Sequence, residues 1–540
     1  MKLKSRRPQP LLKPRSAQKA AELPEDSGPH VLISAELDEG VKWMQEAFTH
    51  CSDLVLRQFT IGLTSERKAA LFYIDGLIDK DIVNDHVLTP LLIDTRRTEP
   101  QTVEAYETWL EEHLLSAGEV KKVPTMNELA KGILQGDMVI LLEGWTQGFV
   151  VGAKGWAARS VSEPQTETVL RGPREAFNEV LRVNTSMIRR RIKSNKLKIE
   201  ARELGTMTKT NIAIAYVEGV INPDILTELN SRLDKIKEVD SILEGGCIEQ
   251  YIEDSPYSPF PQIQYTERPD RVAAALLEGR CALIVDGTPD VLILPAVFIQ
   301  FLQSSEDYYN RILAGTALRW IRYLGIFIAI TLPSLYVAIT AFHHEMLPTN
   351  LALSIAAARE GIPFPAFLEA LVMEIALELL REASIRLPGS IGNALGIVGA
   401  LVIGQAAVEA KLVAPQMVIV VAFTAIGSFT VPIFEASYPI RLIRFPLMIL
   451  AAVFGLYGVM LGWIAILIHL ISLRSFGFPY MEPLAPLKLS GLKDVLIRAP
   501  RWQMMTKPQF REPTEAPPAS FWQRNFMKLR KKGEKSRERQ

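Results

Sequence analysis

Four long uncharged stretches in the second half of the chain restrict what it can fold into. Residues 323–344, 387–408, 412–434 and 445–473 each contain no Asp, Glu, Lys or Arg over 22 residues or more. A helix needs about 20 predominantly apolar residues to cross a bilayer, so each stretch is long enough. The sequence therefore predicts a polytopic α-helical membrane domain of about four spans over residues 311–475.

The rest of the chain carries most of the charge. Lys and Arg number 60, and so do Asp and Glu; this balance argues against a nucleic-acid partner held by net charge. The three cysteines have no metal-ligand spacing, which predicts no metal, no other cofactor and a reducing compartment. Residues 1–30 are basic and proline-rich, typical of a disordered arm, and the basic end of the chain predicts a cytoplasmic tail over residues 476–540.

Two blocks of sequence recur at one fixed offset. The stretch "ALFYIDGLIDKDIV" (70–83) resembles "AIAYVEGVINPDIL" (213–226), and "ILQGDMVILLEGWTQGFVVG" (133–152) resembles "LLEGRCALIVDGTPDVLILP" (276–295). Their acidic-Gly pairs align at an offset of 143 residues in both comparisons, which indicates a duplicated unit. The predicted fold class is therefore two tandem, duplicated α/β units followed by the membrane domain. The units cover residues 31–160 and 205–310, with linking helices over residues 161–204.

Residues 279–302 are hydrophobic enough to be taken for a further membrane span. The matching residues of the first block read as strand, turn and strand within polar sequence, which is typical of a β-hairpin. Asp286 and Asp290 fall inside the segment, and each charge at mid-bilayer would cost about 2.5–3.5 kcal/mol on insertion scales. Residues 279–296 are therefore predicted to be soluble β core.

The apolar segment 364–388 differs from the four stretches because it carries charge. At about 100° per residue one face of a helix there presents Glu374, Glu378, Arg381 and Glu382. One interpretation is an amphipathic helix that lies in the membrane interface. The other is a helix whose acidic face lines a water-filled, cation-attracting path, with these four residues as candidate ion-path side chains.

Basic residues set the predicted orientation of the membrane domain. Arginines before the first stretch and the basic tail place both ends inside, and Lys411 fits an inside turn. Four spans satisfy this pattern, although they leave Arg441 and Arg444 outside. A crossing by residues 364–386 would move the tail outside, so we do not expect one.

The second uncharged stretch carries a ridge of small side chains. Its members recur every four residues and are Gly392, Gly396, Ala400 and Gly404. Such a ridge lets two helix backbones approach closely. The partner helix could belong to this chain or to a neighbouring subunit.

Five stretches, in order, carry a family pattern. They are residues 251–289, 304–311, 354–388, 399–429 and 492–500, and they include "YIEDSPYSPFPQIQYTERPD", "SSEDYYNR" and "LKDVLIRAP". Together they resemble the A subunits of bacterial spore germinant receptors. The resemblance implies a subunit of the spore inner membrane whose N-terminal region faces the spore core. It also implies a transporter-like B subunit and a lipoprotein C subunit as partners, self-association, contact with membrane lipid, and a part in an ion path that nutrients open.

The first of these stretches contains a proline-rich motif loop. Its candidate residues are Glu253, Asp254, Ser258, Pro259, Glu267, Arg268, Pro269 and Asp270. The prolines favour a fixed loop over a helix or central strand. We favour a structural brace in which Arg268 pairs with a carboxylate; the alternative is a subunit contact that couples the soluble unit to the membrane.

Three other functions compete with a receptor subunit. A sporulation-specific paralogue of the A subunits would amplify germination without sensing a nutrient. A secondary transporter should show an inverted repeat in its membrane half, and we see none. An enzyme is not expected, because the glycine-rich residues 143–155 lack the GxGxxG and GKS/T patterns.

Overall fold

The computed structural model describes residues 31–61, 67–94, 119–155, 163–164, 167–169, 171–387, 389–489 and 491–500, and of residues 389–398 it describes the backbone alone. The predicted arm (1–30) and the end of the predicted tail (501–540) lie outside the described residues. Two α/β units come first along the chain, and a helical domain follows them.

Each α/β unit is built on a five-stranded antiparallel sheet. The first sheet has the order β1-β2-β4-β5-β3 and consists of β1 (Leu54–Ile61), β2 (Arg67–Ile74), β3 (Val120–Val123), β4 (Met138–Leu142) and β5 (Gly148–Val151). The second has the order β6-β7-β9-β10-β8 and consists of β6 (Leu197–Leu204), β7 (Thr210–Val217), β8 (Gln264–Thr266), β9 (Cys281–Val285) and β10 (Val291–Leu294). The two sheets therefore share one topology, and β1 and β6, like β2 and β7, begin 143 residues apart.

Helices cover the sheets because successive strand residues face opposite sides. Along β7, Ile212 and Ile214 join one core cluster and Ala213 and Ala215 join the other. The helices of the two units are α1 (Leu37–Ala47), α2 (Met126–Gln135), α3 (Leu181–Arg191), α4 (Pro223–Ile236), α5 (Gly245–Ile252) and α6 (Pro269–Leu277). Two short π-helical segments, Ile82–Leu88 and Pro90–Asp94, also lie in the described part of the first unit.

The hairpin predicted for residues 279–296 is confirmed. Strands β9 and β10 pair antiparallel, and all their residues are buried. The prediction of a linking helix pair over residues 161–204 is wrong, because the described part of that segment contains one helix, α3, and then strand β6. Residues 197–204 form an edge strand in which the charged residues Lys198, Glu200 and Arg202 occupy every second position, a period of two that the helical interpretation overlooked.

The helical domain contains two helices, among the described residues, that are long and apolar enough to cross a membrane by length and composition. They are α9 (Ile312–Phe342) and α14 (Phe434–Ser472). The predicted spans 387–408 and 412–434 fall on α12 (Gly389–Glu409) and α13 (Pro415–Phe429). The remaining elements are α7 (Phe298–Phe301), α8 (Glu306–Tyr309), α10 (Thr349–Arg359), α11 (Ala366–Arg386) and the hairpin β11 (Arg474–Ser475) and β12 (Phe478–Pro479).

Helix α14 folds back on itself at Gly455, whose φ of 61° and ψ of −141° are not helical. A Cβ added to Gly458 would overlap the carbonyl oxygen of Leu450, and one added to Gly462 would overlap the side chain of Leu447. In a straight helix Leu447 and Gly462 would lie about 22 Å apart along the axis. Residues 434–454 and 456–472 are therefore two antiparallel arms.

Both arms of α14 end beside the α/β units, at what we call the proximal end of the helical domain. Ala436 from the start of the helix and Leu470 from its end share one core cluster with Phe260 of the second unit. At the opposite, distal end, Gly455 lies against His343, which follows α9.

The other helices also run between these two ends. Ala370 near the start of α11 and Val413 before α13 pack with Val337 near the distal end of α9. Arg381 of α11 bonds Ser428 of α13, which places both helix ends proximally. Helix α12 returns between them. The helical domain therefore has six segments, namely α9, α11, α12, α13 and the two arms of α14, and the start of α9 and the end of α14 are both proximal.

This arrangement corrects two orientation predictions. Lys411, expected in a turn on the side of the α/β units, lies distally beside Gly361. Arg441 and Arg444, expected on the far side, lie in the proximal half of the first arm of α14. Both errors have one origin: the prediction left out α11 as a segment that runs between the two ends, and omitting one such segment inverts the side of every later loop.

Candidate functional site

The motif loop forms the joint between the second α/β unit and the helical domain. Ser258 Oγ lies 2.9 Å from Nε2 of His469, in the last turn of α14. The Tyr480 hydroxyl donates to the carbonyl of Pro261 at 2.6 Å, and Ser475 Oγ donates to the carbonyl of Gln262 at 2.7 Å. The loop is therefore held by groups from the end of α14 and from the hairpin that follows it.

Other motif residues hold the loop in shape. Asp254 accepts a hydrogen bond from the backbone N–H of Phe476 at 2.6 Å and pairs with Arg232. Glu253 accepts from the backbone N–H of Gln262 at 3.4 Å. Pro259 lies half-buried in the turn between Ser258 and the Phe260 ring.

Arg268 is almost fully buried and pairs with a carboxylate, as expected of a structural brace. Its Nε and Nη2 donate to the two oxygens of Asp270 at 3.1 and 2.8 Å. Burial alone would raise the pKa of Asp270, but the hydrogen bonds from Arg268 and Tyr309 lower that pKa below its ordinary value. Pro269 opens α6 at a position that needs no N–H donor, and the Glu267 carbonyl accepts from the backbone N–H of Phe177.

The joint also contains two neighbouring carboxyl groups, Glu249 and Glu253. Burial raises the pKa of Glu249 to about 8, and the carboxylate of Glu253 acts in the same direction. The hydroxyl of Tyr265, which donates to Glu249 at 2.8 Å, opposes this shift only in part. A pKa of about 8 keeps Glu249 mostly protonated at neutral pH.

A buried ionic group fixes the start of the helical domain. Asp307 of α8 accepts from Arg319 Nε at 3.0 Å and from Arg322 Nη1 at 3.1 Å. Arg319 also pairs with Asp494 at 3.1 Å, which joins α9 to the segment after the β11–β12 hairpin. The sequence interpretation treated these arginines as free charges that mark one side of a membrane; their acidic partners lie in the family stretches "SSEDYYNR" and "LKDVLIRAP".

Three of the four candidate ion-path residues, all except Glu382, form one ionic group with two arginines of α14. Arg444 Nη1 lies 2.9 Å from Glu374 Oε2, and Arg444 Nη2 donates to Glu378 Oε1 at 2.5 Å. Arg441 Nη1 donates to Glu378 Oε2 at 3.0 Å. Arg381 Nη1 lies 3.7 Å from Glu378. We call these five residues the charge cluster.

The charge cluster changes how the acidic face of α11 is understood. Glu374 is fully buried against the equally buried Arg444. Arginines therefore compensate the negative charge that the sequence placed on this face. Helical periodicity identified the face of α11, but these partners lie 63 and 66 residues further along the chain from Glu378. Glu382 does not join the charge cluster, since it pairs with Arg386 at an exposed site.

Helix α11 packs among other helices instead of lying apart from them. Leu380 fills the space beside Gly399 of α12, and Arg381 Nη2 donates to Ser428 of α13 at 2.7 Å. These contacts disfavour a helix that rests on the surface of a membrane.

The ridge of small residues on α12 stays a prediction. Gly392 and Gly396 lie where only the backbone is described. Ala400 is exposed, whereas Gly404 approaches Val418 of α13 at ordinary van der Waals distance. The close contact to α11 is made by Gly399, one residue before Ala400.

The two α/β units are joined by a buried ion pair. Arg189 Nε and Nη2 donate to the two oxygens of Asp53 at 2.7 and 2.9 Å, and both side chains are about 1% exposed. Beside this contact a cavity of about 520 Å³ is lined in part by Arg191, Lys193 and Glu175. Among the described residues no group of three His, Cys, Asp or Glu side chains could hold a metal ion.

These observations define a class of protein in which tandem α/β units are fixed to an apolar helical bundle through a buried joint. Residues 42–510 match the family described as Bacillus/Clostridium GerA spore germination protein. The chain belongs to this family of spore germination proteins, and the resemblance found in the sequence is confirmed.

Relatives of known sequence support the assignment. "Uncharacterized membrane protein YfkQ" of Bacillus subtilis (strain 168) is 45% identical over 476 residues, which are 88% of this chain and 91% of that protein. "Spore germination protein KA" of the same organism is 46% identical over 479 residues, covering 89% of this chain and 87% of that protein. The crystal structure of the N-terminal domain of the A subunit of the Bacillus megaterium spore germinant receptor GerK3 matches 50% of this chain and 99% of that chain at 35% identity, with a TM-score of 0.40.

Proposed function

We propose that this chain is the A-type membrane subunit of a nutrient-germinant receptor and converts nutrient sensing into ion release during germination. The observation that carries the proposal is the joint, where Ser258, Pro261 and Gln262 are bonded to the end of α14 and its hairpin. A displacement of the α/β units would therefore be transmitted directly to the helical bundle. The expected partners are a transporter-like B subunit and a lipoprotein C subunit.

We further propose that the six segments cross the spore inner membrane, with the α/β units and the tail on the core side. The two arms of α14 contain 21 and 17 residues, which rise about 31 and 25 Å and so match a hydrocarbon core of about 30 Å. Six crossings replace the four that hydropathy suggested. They keep both chain ends on one side although α11 also crosses.

The ion path is proposed to run along α11 in an oligomer of this chain. Ionisable residues at membrane depth are costly and typically mark ion pathways. The predicted ridge on α12 would supply a surface for close contact with a neighbouring subunit. The shared topology and offset of the two sheets also support descent of the α/β units from one duplicated unit.

Deletion of the gene from spores tests the function. Potassium release after single nutrients should be lost for one nutrient set if the chain is a receptor subunit. If every nutrient still triggers release, only more slowly, the amplifying paralogue becomes the better description. If release is unchanged in spores without other receptors, the proposal fails.

A point substitution tests the joint itself. Ser258→Ala removes the contact to His469 and should slow potassium release while the protein stays in the membrane at normal amount. Ser437→Ala serves as control, because that hydroxyl bonds the carbonyl of Phe434 within its own helix. Equal release rates in both variants would refute transmission through this contact.

A further inference from the structure

The charge cluster contains more positive than negative charge. Three guanidinium groups, from Arg381, Arg441 and Arg444, face the two carboxylates of Glu374 and Glu378. Arginine stays protonated in proteins. The charge cluster therefore carries a net charge of about +1 with both carboxylates ionised, and more if either is protonated.

The hydrogen-bond donors of the charge cluster also outnumber its acceptors. Each guanidinium presents five N–H groups, about 15 in all. Both oxygens of Glu378 are occupied by Arg441 and Arg444. The Nε atoms of Arg381, Arg441 and Arg444 are each buried without a hydrogen-bond partner, and so are the two carboxylate oxygens of Glu374. These two unused acceptors are fewer than the unused N–H groups.

No other charged group of the described residues neutralises this excess. Glu382 points its carboxylate to Arg386, and Glu369 pairs with Arg359 at the distal end. Aromatic rings flank the arginines, with Phe429 4.5 Å from the guanidinium carbon of Arg381. A ring face attracts a cation weakly but supplies no compensating charge.

An excess guanidinium charge at this depth is unfavourable. Arg444 already pairs with both carboxylates, whereas Arg381 lies 3.7 Å from Glu378 with its side chain only 12% exposed. Removing a charge from water costs several kcal/mol unless a counter-charge is present. A small anion would supply both the missing charge and acceptors for the unused N–H groups.

We propose that the charge cluster is a binding site for one monovalent inorganic anion, held by Arg381, Arg441 and Arg444. Its sign is opposite to that of the cation-attracting face that the sequence suggested. The site exists whether or not the chain conducts ions, because it rests on the charges and contacts of the five residues alone.

Binding of radioactive chloride (³⁶Cl⁻) to the full-length chain in detergent tests the site. Ionic strength is held constant with the sodium salt of gluconate, a bulky organic anion. The wild-type chain should bind chloride saturably, with about one ion per chain, and unlabelled bromide should compete. Absence of saturable binding would overturn the proposal.

Charge substitutions test whether the net charge of the cluster controls chloride binding. Arg441→Gln removes the excess charge and should weaken chloride binding at least tenfold. Glu374→Gln adds one positive charge and should strengthen binding several-fold, which a merely structural role of these residues would not predict. If Arg441→Gln does not fold, Arg381→Gln makes the same comparison at the rim of the cluster.

Arg386→Gln is the matched control. It removes one arginine from α11, the helix of Arg381, but that arginine is exposed and pairs with Glu382 outside the charge cluster. Chloride binding should stay within twofold of the wild type. Equal losses in Arg386→Gln and Arg441→Gln would show that overall charge, and not a site, controls binding.

Discussion

Substitution of Gly458 by alanine tests the reversal of α14, because a straight helix and a hairpin predict opposite changes in stability. If residues 434–472 formed one continuous helix, the change would stabilise the chain by about 1 kcal/mol, because alanine is the better helix former. In the hairpin, the new methyl group overlaps the carbonyl oxygen of Leu450 on the opposite arm. We therefore expect Gly458→Ala to destabilise the protein.

The magnitude follows from the atom that is overlapped. A main-chain oxygen cannot rotate away as a side chain would, so the arms must separate by about 1 Å, and the cost should lie near the upper end of the 1–3 kcal/mol typical of overpacking. For a domain of this size that corresponds to a fall in Tm of roughly 5–10 °C. Thermal unfolding of the detergent-purified full chain, followed by tryptophan fluorescence, measures it.

A second glycine in the helical domain provides the control. A Cβ at Gly404 would lie 3.4 Å from Val418, an ordinary van der Waals contact. Gly404→Ala should therefore leave the Tm unchanged or raise it slightly. The hairpin is refuted if Gly458→Ala raises the Tm as much as Gly404→Ala does.

Three further predictions test the joints and the topology. Asp53→Asn leaves the buried Arg189 without its counter-charge and should lower the free energy of unfolding by about 3–5 kcal/mol in denaturant titrations. Glu163→Gln breaks an exposed pair with Arg174 and should change the free energy of unfolding by less than about 1 kcal/mol. Because the folded-state pKa of Glu249 is raised from 4.5 to about 8, the folded chain binds the extra proton and loses stability as pH rises between these values; Glu249→Gln should have a higher Tm than the wild type at pH 8.5, with no difference near pH 4.5. Lys411→Cys in oriented vesicles should react with an impermeant maleimide from the face opposite the α/β units, and reaction from the other face would exclude six crossings.

The sequence alone determined much of the α/β half and the identity of the family. The strand–turn–strand pattern and its recurrence at a fixed offset identified the strands around Asp286, because both signals are visible in the linear sequence. Hydropathy located the apolar helices, and helical spacing brought Glu374 and Glu378 to one face of α11. Each of these inferences needs only the order of residues along the chain, and none depends on which distant segments pack together.

Only the tertiary structure decided the direction of the helices and the partners of their charges. Hydropathy sums composition over a window, so it cannot distinguish one long helix from two arms that reverse at Gly455. Pairing of Glu378 with Arg441 and Arg444 joins residues more than 60 positions apart, and no local period encodes such a contact. The same pairing turned a predicted acidic face into a cluster with excess positive charge, since the sign of a buried site depends on every helix that packs against it.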